Sequence, residues 1–517
     1  MSKEKELDSE IQKFLENFGE FVNDIQYDGW PIWWFFKERF LGDALPAQFI
    51  GHEEIEERIK KGKKPDIVDE IRSRAKIFFL RKIFYLNEKS KIWVSRFNKK
   101  ESKLEENKKT VMFLIHTNAI IFKPDGSFEE DRFQSLIDEV RKDPELQEYL
   151  SIVDPLTHNS FLKLLKYENL LYNQLNPEVI KKIKGESSRL NNDWKRIREK
   201  IRYDSDNENL IWEYLRPTLN FFFSKEIISI LLFYYEVYKS VIKKKDIKLL
   251  TLYAVGGPII RCAIAAADRI GIRSLHVSHG LGAGMHLDLP NSLYHCVPGE
   301  EYKRKLVNLG IPQENIFVTG PAFMNDIVEY IKDKDIKRKR KRILFASNPT
   351  IEDKLMDKRE WYSYLKKYFQ DLKKLNTELI VKTHPRERNI EIYKETKGIR
   401  IITDQRKSTL YSLIRDSDLV ISFGSTVSLE AVVIGTPTLI IDIMDFSKIP
   451  DPFLSGEYVK HVPMDADISK VVDTIINNQK VRDECINNGK KFIQDYLYKV
   501  DGKADKRILK IMKELIL

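Results

Sequence analysis

Basic side chains gather at one point of the chain, in the segment VKTHPRE at residues 381–387. The apolar run TELI before it predicts a buried strand, and Pro385 ends that strand directly after His384. In parallel sheets the carboxyl ends of strands face the ligand, so Lys382, His384 and Arg386 could hold or protonate an anion there. A solvated loop would explain the same residues, and only the rest of the chain can decide between the two.

Hydroxyl groups form a second candidate site after the predicted buried strand DLVISF at 418–423. Gly424, Ser425 and Thr426 turn directly into a helix, and Ser428 lies within its first turn. A glycine lets a ligand approach the backbone closely, and the free N–H groups and dipole of a helix N-terminus suit a phosphate. Ordinary N-capping is the alternative for the same residue types.

One carboxylate lies in the apolar run LEAVVIG of that helix, at Glu430. A carboxylate in such surroundings is costly unless it has a partner. Its position, one helical turn beyond the hydroxyl groups, lets it reach the hydroxyls of a ribose whose phosphate rests on the preceding loop. This favours a nucleotide site over simple N-capping.

Two blocks of alternating strands and helices carry these residues. The first block has predicted strands at 110–116, 247–255, 273–279, 292–297 and 315–320. The second has predicted strands at 342–347, 377–383, 399–403, 418–423 and 436–442. Such alternation predicts parallel sheets covered by helices on both faces. We therefore expect an α/β protein with two doubly wound, Rossmann-like domains facing a cleft.

Composition shifts predict where these domains begin and end. The charge run IKDKDIKRKRKR at 331–342 is typical of a solvated linker. The predicted parts are a mostly helical, aromatic N-terminal appendage at 1–105, a first Rossmann-like domain at 106–335 with a helical insertion at 157–243, a nucleotide-binding domain at 336–480, and a C-terminal helix at 481–517. In the appendage, Trp30, Trp33 and Trp34 are predicted to pack in a core.

The formal net charge of +10 and the pI of about 9.0 favour anionic partners such as nucleotides or phospholipid surfaces. No nucleic-acid-binding signature occurs, so nucleic acid is not expected as a partner. Three cysteines, Cys262, Cys296 and Cys485, lie far apart without zinc spacing. No convincing metal motif occurs either, and we expect no metal and no cofactor other than a nucleotide-sugar substrate.

The N-terminal sequence MSKEKELDSE lacks the apolar region of a secretory signal, which predicts a cytoplasmic protein. Charged residues interrupt the most apolar stretch, 221–238, so we expect a buried helix there and not a membrane span. Residues 72–100 alternate basic and apolar side chains, as membrane-surface helices do. Peripheral association with the inner face of an anionic membrane is a hypothesis from that pattern.

Several segments resemble GT-B glycosyltransferases and their relatives. GSTVSLEAVVIGTP is similar to their glycine-plus-hydroxyl loop with the following Glu-Ala and Gly-x-Pro, and HVSHG at 276–280 resembles a His-Gly pair that faces the cleft. KTHP is similar to the His-Pro motif of bacterial sialyltransferases, capsule polysaccharide transferases and CDP-glycerol glycerophosphotransferases. Residues 297–326 resemble the stretch of these enzymes that ends in vtG-P…D. The resemblance covers about residues 110–510 and implies the GT-B fold.

The resemblance also implies roles for residues at matching positions. His384 would hydrogen-bond or protonate the donor phosphate, Glu430 would bind the ribose, and His279 would line the acceptor side as a candidate base. His116 is a weaker candidate at the same sheet edge. The predicted phosphate-binding set is Lys382, Pro385, Gly424, Ser425, Thr426 and Ser428.

These roles predict an inverting, metal-independent glycosyltransferase that moves a sugar from a nucleotide donor to a surface glycan, polysaccharide or lipid-linked acceptor. One alternative is an enzyme similar to the non-hydrolysing UDP-N-acetylglucosamine 2-epimerases. Against it, Pro321 stands where the resemblance implies Asn, and SFGST replaces a Ser-Gly-Gly pattern. A second alternative is a non-catalytic scaffold that binds sugar nucleotides.

Overall fold

The computed structural model describes the greater part of the 517-residue chain. The described residues are 14, 17–42, 61–64, 86, 104–116, 120–122, 128–130, 132–153, 175–201, 203, 206–280, 289–331, 340–353, 355–443, 453 and 456–516. They belong to two compact units. The first unit contains residues 1–296, 305–317 and 508–517, and the second contains residues 297–304 and 318–507.

Strands and helices alternate through most of the described chain. The strands are β1 (Gln26–Tyr27), β2 (Trp30–Pro31), β3 (Lys109–His116), β4 (Ile120–Phe122), β5 (Phe128–Glu130), β6 (Leu146–Val153), β7 (Ile247–Leu252), β8 (Arg273–Val277), β9 (Leu293–Val297), β10 (Ile316–Val318), β11 (Lys341–Ala346), β12 (Thr377–Lys382), β13 (Ile399–Ile402), β14 (Leu419–Ser422), β15 (Thr438–Asp442) and β16 (Lys460–Pro463). The helices are α1 (Ile32–Gly42), α2 (Gln134–Lys142), α3 (Pro177–Arg198), α4 (Asp206–Phe222), α5 (Lys225–Lys244), α6 (Pro258–Ile270), α7 (Glu300–Asn308), α8 (Lys358–Lys373), α9 (Glu391–Glu395), α10 (Lys407–Arg415), α11 (Thr426–Ile434), α12 (Ile468–Asn477), α13 (Gln479–Tyr496) and α14 (Ala504–Ile516). Two 3₁₀ helices lie at Gln313–Asn315 and Ala322–Tyr330.

The first unit is built on a six-stranded sheet in the order β10-β9-β8-β7-β3-β6. The pairs β3–β6, β3–β7, β7–β8 and β8–β9 are all parallel. The strand order reverses between β3 and β7, and such a switch point is where α/β sheets bind ligands. The sequence analysis did not predict β6, which pairs with β3 along its full length.

The second unit contains a six-stranded parallel sheet in the order β13-β12-β11-β14-β15-β16. Counted from β11, this is the 3-2-1-4-5-6 order of dinucleotide-binding sheets, and its switch point lies between β11 and β14. The central strands are buried along nearly their whole length, as strands covered on both faces must be. The two sheets confirm the predicted α/β class with two Rossmann-like sheets.

The apolar stretch at 221–238 contains the start of a buried helix, but not one continuous helix. Helix α4 ends at Phe222, and Ser224 caps α5 by accepting a hydrogen bond from the backbone N–H of Ile227. Most residues of α5 are buried against neighbouring helices and the first sheet. Among the described residues, no helix is both long and apolar enough to cross a membrane.

In the N-terminal region, residues 17–22 are helical, and the β1–β2 hairpin and then α1 follow them. The hairpin turn places Asp28 and Gly29 at positive φ angles of 52° and 88°. Trp33 and Trp34 are buried in the core of the first unit and Trp30 packs against it, which confirms their predicted role. Residues 72–100, on which the membrane hypothesis rests, lie outside the described residues except for residue 86.

Candidate functional site

Three strands of the second sheet end together at its switch point. β12 and β14 are both parallel neighbours of β11, so the chain leaves all three strands at the same edge. Ser347 follows β11, His384 follows β12 after one residue, and Gly424 follows β14 after one residue. With strands spaced about 4.8 Å apart, β12 and β14 lie about 10 Å from each other across β11. The edge therefore brings together the two segments singled out in the sequence.

Hydrogen bonds of its backbone N–H and of its ring hold His384 at this edge. Its N–H donates a hydrogen bond of 2.9 Å to Ser347 Oγ, and its Nδ1 accepts one of 3.1 Å from the Arg386 N–H. An Nδ1 that accepts a hydrogen bond leaves the proton of a neutral imidazole on Nε2. Burial first, and then the charges of Arg386 and Lys382, lower the pKa of His384 to about 4. At neutral pH the ring is a neutral donor through Nε2.

Glu387 anchors the same loop from its other end. Its carboxylate accepts hydrogen bonds from Ser347 Oγ and from Tyr393 OH, the latter at 2.6 Å. A longer bond of 3.4 Å joins it to the His384 N–H. Burial raises the pKa of Glu387. Sequence reasoning missed Ser347, Glu387 and Tyr393, because only the folded chain brings these positions together.

Two further acids connect the loop to the segment that follows β11. Glu352 Oε1 accepts from the backbone N–H of Arg388 at 2.7 Å and of Asn389 at 3.1 Å. The Arg386 guanidinium binds Asp353 through two nitrogens, one of them at 2.8 Å. Arg386 is thus engaged by a carboxylate, and Pro385 is exposed at the turn. Hydrogen bonds and an ion pair therefore hold the loop that carries His384.

Lys382 lies inside the sheet edge with only 6% of its surface exposed. Its Nζ donates to Gln405 Oε1 at 2.8 Å and to the Thr383 carbonyl at 2.9 Å. Burial lowers its pKa. These two bonds give the ammonium group internal acceptors, and its predicted contact with a phosphate stays a prediction.

The N-terminus of α11 has the geometry expected of an anion site. Gly424 has a φ angle of 73°, a left-handed conformation that glycine adopts without strain. Ser425 occupies the N-cap position at a φ of −85°, and its side chain does not cap its own helix. Thr426 is exposed at the first helical position. The first N–H groups of a helix have no partner within it, so this turn presents backbone and hydroxyl donors together.

Ser428 and Glu430 lie deeper in the same helix. Ser428 is fully buried, and its Oγ lies 2.5 Å from Ser422 Oγ at the end of β14. Glu430 is 7% exposed, and Tyr411 OH donates to its Oε1 at 3.4 Å. The hydroxyl of Ser428 therefore has an internal partner, whereas Glu430 is a buried carboxylate one turn below the anion site. Both predicted roles stay predictions.

In the first unit, His279 and His116 lie at the corresponding switch point. His279 follows β8 and its Nδ1 donates to the Tyr253 carbonyl at 2.5 Å. His116 ends β3 and its backbone N–H donates to Tyr253 OH at 3.0 Å. Although His279 is exposed as a residue, its ring lies against Tyr253, with ring centroids 5.1 Å apart. Tyr253 and the nearby Arg132 were not singled out in the sequence.

Two further observations limit where ligands could bind. Within the described ranges no group of three His, Cys, Asp or Glu side chains could hold a metal ion. A cavity of about 230 Å³ in the second unit is lined by Thr438, Lys460 and Cys485 among others. Thr438 and Lys460 begin β15 and β16, so this cavity lies at the opposite edge of the sheet from His384.

Residues 290–513 match the family model of UDP-N-acetylglucosamine 2-epimerase. No curated protein sequence matches the chain. The prediction of a glycosyltransferase is wrong, because the family model that matches is that of the epimerases. Three of the four motifs that suggested a transferase lie in this same segment, so those three do not separate the two classes; HVSHG at 276–280 precedes it. The specific resemblance to capsule polysaccharide transferases is not confirmed.

Several solved structures are similar to the chain at low identity. The UDP-N-acetylglucosamine 2-epimerase of Neisseria meningitidis bound to UDP-GlcNAc is 15% identical, with 78% of this chain and 100% of that chain covered and a TM-score of 0.48. The Methanocaldococcus jannaschii enzyme in complex with UDP-GlcNAc and UDP is 13% identical, with 78% and 99% covered and a TM-score of 0.46. A glycosyltransferase from Rickettsia africae is 14% identical, with 80% and 99% covered and a TM-score of 0.42. Similarity at this level says nothing about the reaction of this chain.

The backbone accommodates the two departures from the epimerase pattern. Gly424 keeps a glycine at the one position of the turn with a left-handed φ angle. Ser425 has an ordinary φ angle, so a hydroxyl residue replaces the second glycine of the pattern without strain. Pro321 precedes the 3₁₀ helix Ala322–Tyr330, where the fixed φ of a proline is compatible with a helix start.

Proposed function

We propose that the chain is a sugar-nucleotide enzyme that inverts carbon 2 of a UDP-linked N-acetylhexosamine, as UDP-N-acetylglucosamine 2-epimerases do. The observation that carries the proposal is the match of residues 290–513 to that family model. The matched segment contains the whole second sheet and the switch-point residues His384, Gly424 and Ser425. The site in this unit therefore belongs to the part of the chain that resembles the epimerases.

The chemistry of the reaction explains why such a site needs phosphate-binding groups. Inversion at carbon 2 breaks one C2–H bond and forms another on the opposite face. The electron pair left by the departing proton can form a C1–C2 double bond while the C1–O bond to the diphosphate breaks. UDP leaves with the electrons of that bond, then returns to C1 as a proton adds to the other face of C2. The atoms balance without an acceptor, and the protein must hold the departing diphosphate throughout.

The N-terminus of α11 suits this task. Its free N–H groups and dipole stabilise negative charge, and the Ser425 and Thr426 hydroxyls add donors at the same point. A preorganised donor set meets the charge as it develops on the leaving diphosphate, without reorganisation. Gly424 lets the phosphate approach the backbone closely.

His384 contributes a donor from the neighbouring strand. Because its Nδ1 accepts a hydrogen bond and its pKa is lowered to about 4, the neutral ring carries its proton on Nε2. The cross-linked loop holds that donor in place. A bound diphosphate would raise the pKa of the ring, since an opposite charge favours the protonated form. His384 then meets the departing diphosphate with a hydrogen bond or a proton.

Glu430 is proposed to bind the ribose of the nucleotide. Its carboxylate is buried one turn below the phosphate-binding turn, and Tyr411 OH contacts one of its oxygens at 3.4 Å. A carboxylate can accept hydrogen bonds from both hydroxyls of one ribose. The position of Glu430 one turn into α11 supports a ribose site next to the proposed diphosphate site.

Incubation of the full chain with UDP-N-acetylglucosamine alone tests the proposal. Proton NMR of the anomeric region should show the N-acetylmannose isomer accumulating with no added acceptor. Calorimetric titration with UDP in parallel reports whether the nucleotide site is intact. Binding of UDP without any isomerisation of the sugar nucleotide would contradict the proposed reaction.

A further inference from the structure

A half-buried arginine of the first unit lies beside the switch point of its sheet. Arg132 precedes α2, and its guanidinium carbon lies 4.5 Å from the centroid of the Tyr253 ring. In the part of the chain that the structure describes, no carboxylate pairs with this guanidinium. The adjacent acid Glu130 accepts instead from the backbone N–H groups of Arg132, at 2.9 Å, and of Phe133.

Two histidines face the same tyrosine. The centroid of the His116 ring lies 4.9 Å from that of Tyr253, and the centroid of the His279 ring lies 5.1 Å from it. His279 donates through Nδ1 to the Tyr253 carbonyl, which leaves its Nε2 pointing away from that bond. His276 approaches the same carbonyl through Nε2 at 3.3 Å. One guanidinium and two imidazoles thus surround a single aromatic ring.

The position of this cluster in the fold is that of a ligand site. His116 ends β3, and Tyr253 and His279 follow β7 and β8; in the first sheet β7 lies between β3 and β8. The sheet order reverses between β3 and β7, so His116 and Tyr253 flank the switch point itself. The N-terminus of α2 begins next to Arg132 and adds the positive end of its dipole.

We propose that Arg132, His116 and His279 form an oxyanion site in the first unit that takes a phosphoryl group. The guanidinium supplies a planar fork of donors that fits two phosphate oxygens. Each imidazole supplies a further donor once it is protonated. The residues of this site all belong to the first unit, and the proposal does not depend on the reaction proposed above.

The electrostatics of the cluster favour an anionic ligand. Burial, and after it the charge of Arg132, lower the pKa of His116 and of His279 to about 4 each. A bound phosphate would oppose both effects and raise these pKa values, typically by about 1–3 units for an opposite charge nearby. A rise of that size would bring these pKa values to about 5–7, so binding at mildly acidic pH would be accompanied by proton uptake on the two rings.

NMR of the histidine rings in the full chain tests this directly. The nine histidines can be labelled at Cε1, and the signals of His116 and His279 assigned from His116→Gln and His279→Gln variants. Titration with pH is carried out with and without inorganic phosphate. We expect phosphate to raise the pKa of both rings by about 1 unit or more. Acetate serves as the carboxylate comparison and should have a smaller effect.

Two variants of Arg132 and one control variant complete the test. Arg132→Gln should abolish the phosphate-induced shifts, and Arg132→Lys should restore part of them. Arg141→Gln is the matched control, because Arg141 lies at the far end of α2 and binds Glu148 at 2.7 Å. It should leave the shifts unchanged. Identical titrations with and without phosphate in wild type would overturn the site, and equal shifts with acetate would overturn its phosphoryl class. Equal shifts in folded Arg132→Gln would overturn the role of the arginine.

Discussion

The Tyr393 hydroxyl donates a 2.6 Å hydrogen bond to the Glu387 carboxylate, and this bond ties α9 to the loop that carries His384. The same carboxylate accepts from Ser347 Oγ, at the end of the neighbouring strand β11. One half-buried acid thus links the carboxyl ends of β11 and β12 to the helix that follows them. The position of His384 depends on this acid although Glu387 itself need not touch a ligand.

Replacement of Glu387 by alanine should destabilise the second unit. Tyr393 OH and Ser347 Oγ would lose their carboxylate acceptor, and a buried donor without a partner costs about 1–3 kcal/mol. Urea denaturation should show a loss of that order in the free energy of unfolding. Glu391→Ala is the control, because Glu391 is exposed and binds Tyr362 OH at 3.0 Å. Equal stability of the two variants would contradict the linking role of Glu387.

Acidification should destabilise the chain through its histidines. The pKa values of His116, His279 and His384 are lowered from 6.5 to about 4. Between these values the unfolded chain binds protons that the folded chain does not, so the free energy of unfolding falls as the pH decreases through this window. His384→Gln should show a weaker dependence in denaturation curves measured at several pH values. An unchanged slope for His384→Gln would show that its ring is not desolvated in the folded protein.

The hydroxyls at the N-terminus of α11 should contribute to UDP binding. A hydrogen bond to a charged group contributes about 1.5–3 kcal/mol, so Ser425→Ala and Thr426→Val should each weaken binding by about 10- to 100-fold. Calorimetric titration with UDP measures this. Thr474→Val is the control, since Thr474 is exposed on α12 and its hydroxyl bonds the Lys470 carbonyl. Wild-type affinity for UDP in both hydroxyl variants would contradict an anion site at this turn.

Glu430 should determine how well the chain recognises a ribose. Wild type should bind UDP more tightly than 2′-deoxy-UDP, because the deoxy ligand lacks one of the hydroxyls that donate a hydrogen bond to the carboxylate. In Glu430→Gln this preference should shrink toward parity, since the amide is a weaker acceptor than the carboxylate. Glu395→Gln, at an exposed position of α9, serves as the control. An undiminished preference in Glu430→Gln would place the ribose elsewhere.

The sequence predicted the parts of the site that depend on local patterns. A buried strand followed by glycine and hydroxyl residues marks a helix N-terminus, and Gly424, Ser425 and Thr426 lie there in the structure. β12 and β14 end at the same sheet edge, as predicted. These features follow from short-range propensities and from the geometry of parallel sheets.

Residues that meet only in the fold could not be predicted in this way. Ser347, Glu387 and Tyr393 converge from separate elements, and no spacing in the sequence connects them. Strand β6 escaped prediction because its run LQEYLSIV mixes polar and apolar residues, and its pairing with β3 decides its conformation. The reaction class could not be predicted from the motifs either, since both transferases and epimerases need a turn that binds phosphate.

One variant links the site to the proposed reaction. His384→Ala removes the Nε2 donor that is proposed to contact the departing diphosphate. Loss of one preorganised donor typically lowers turnover by about 10²–10³, and we expect that reduction in kcat with the fold retained. Turnover within a few-fold of wild type would assign the segment 381–387 to a loop without a role in the reaction.

The most direct test of the proposed function is NMR of UDP-N-acetylglucosamine with the enzyme in D₂O, with no acceptor present. Inversion through loss of the C2 proton requires that the hydrogen returned to C2 comes from the solvent. We predict that the N-acetylmannose isomer appears and that C2 becomes deuterated. His384→Ala should lower the rate of deuteration. A sugar nucleotide that keeps both its configuration and its C2 proton, while UDP binds normally, would contradict the account.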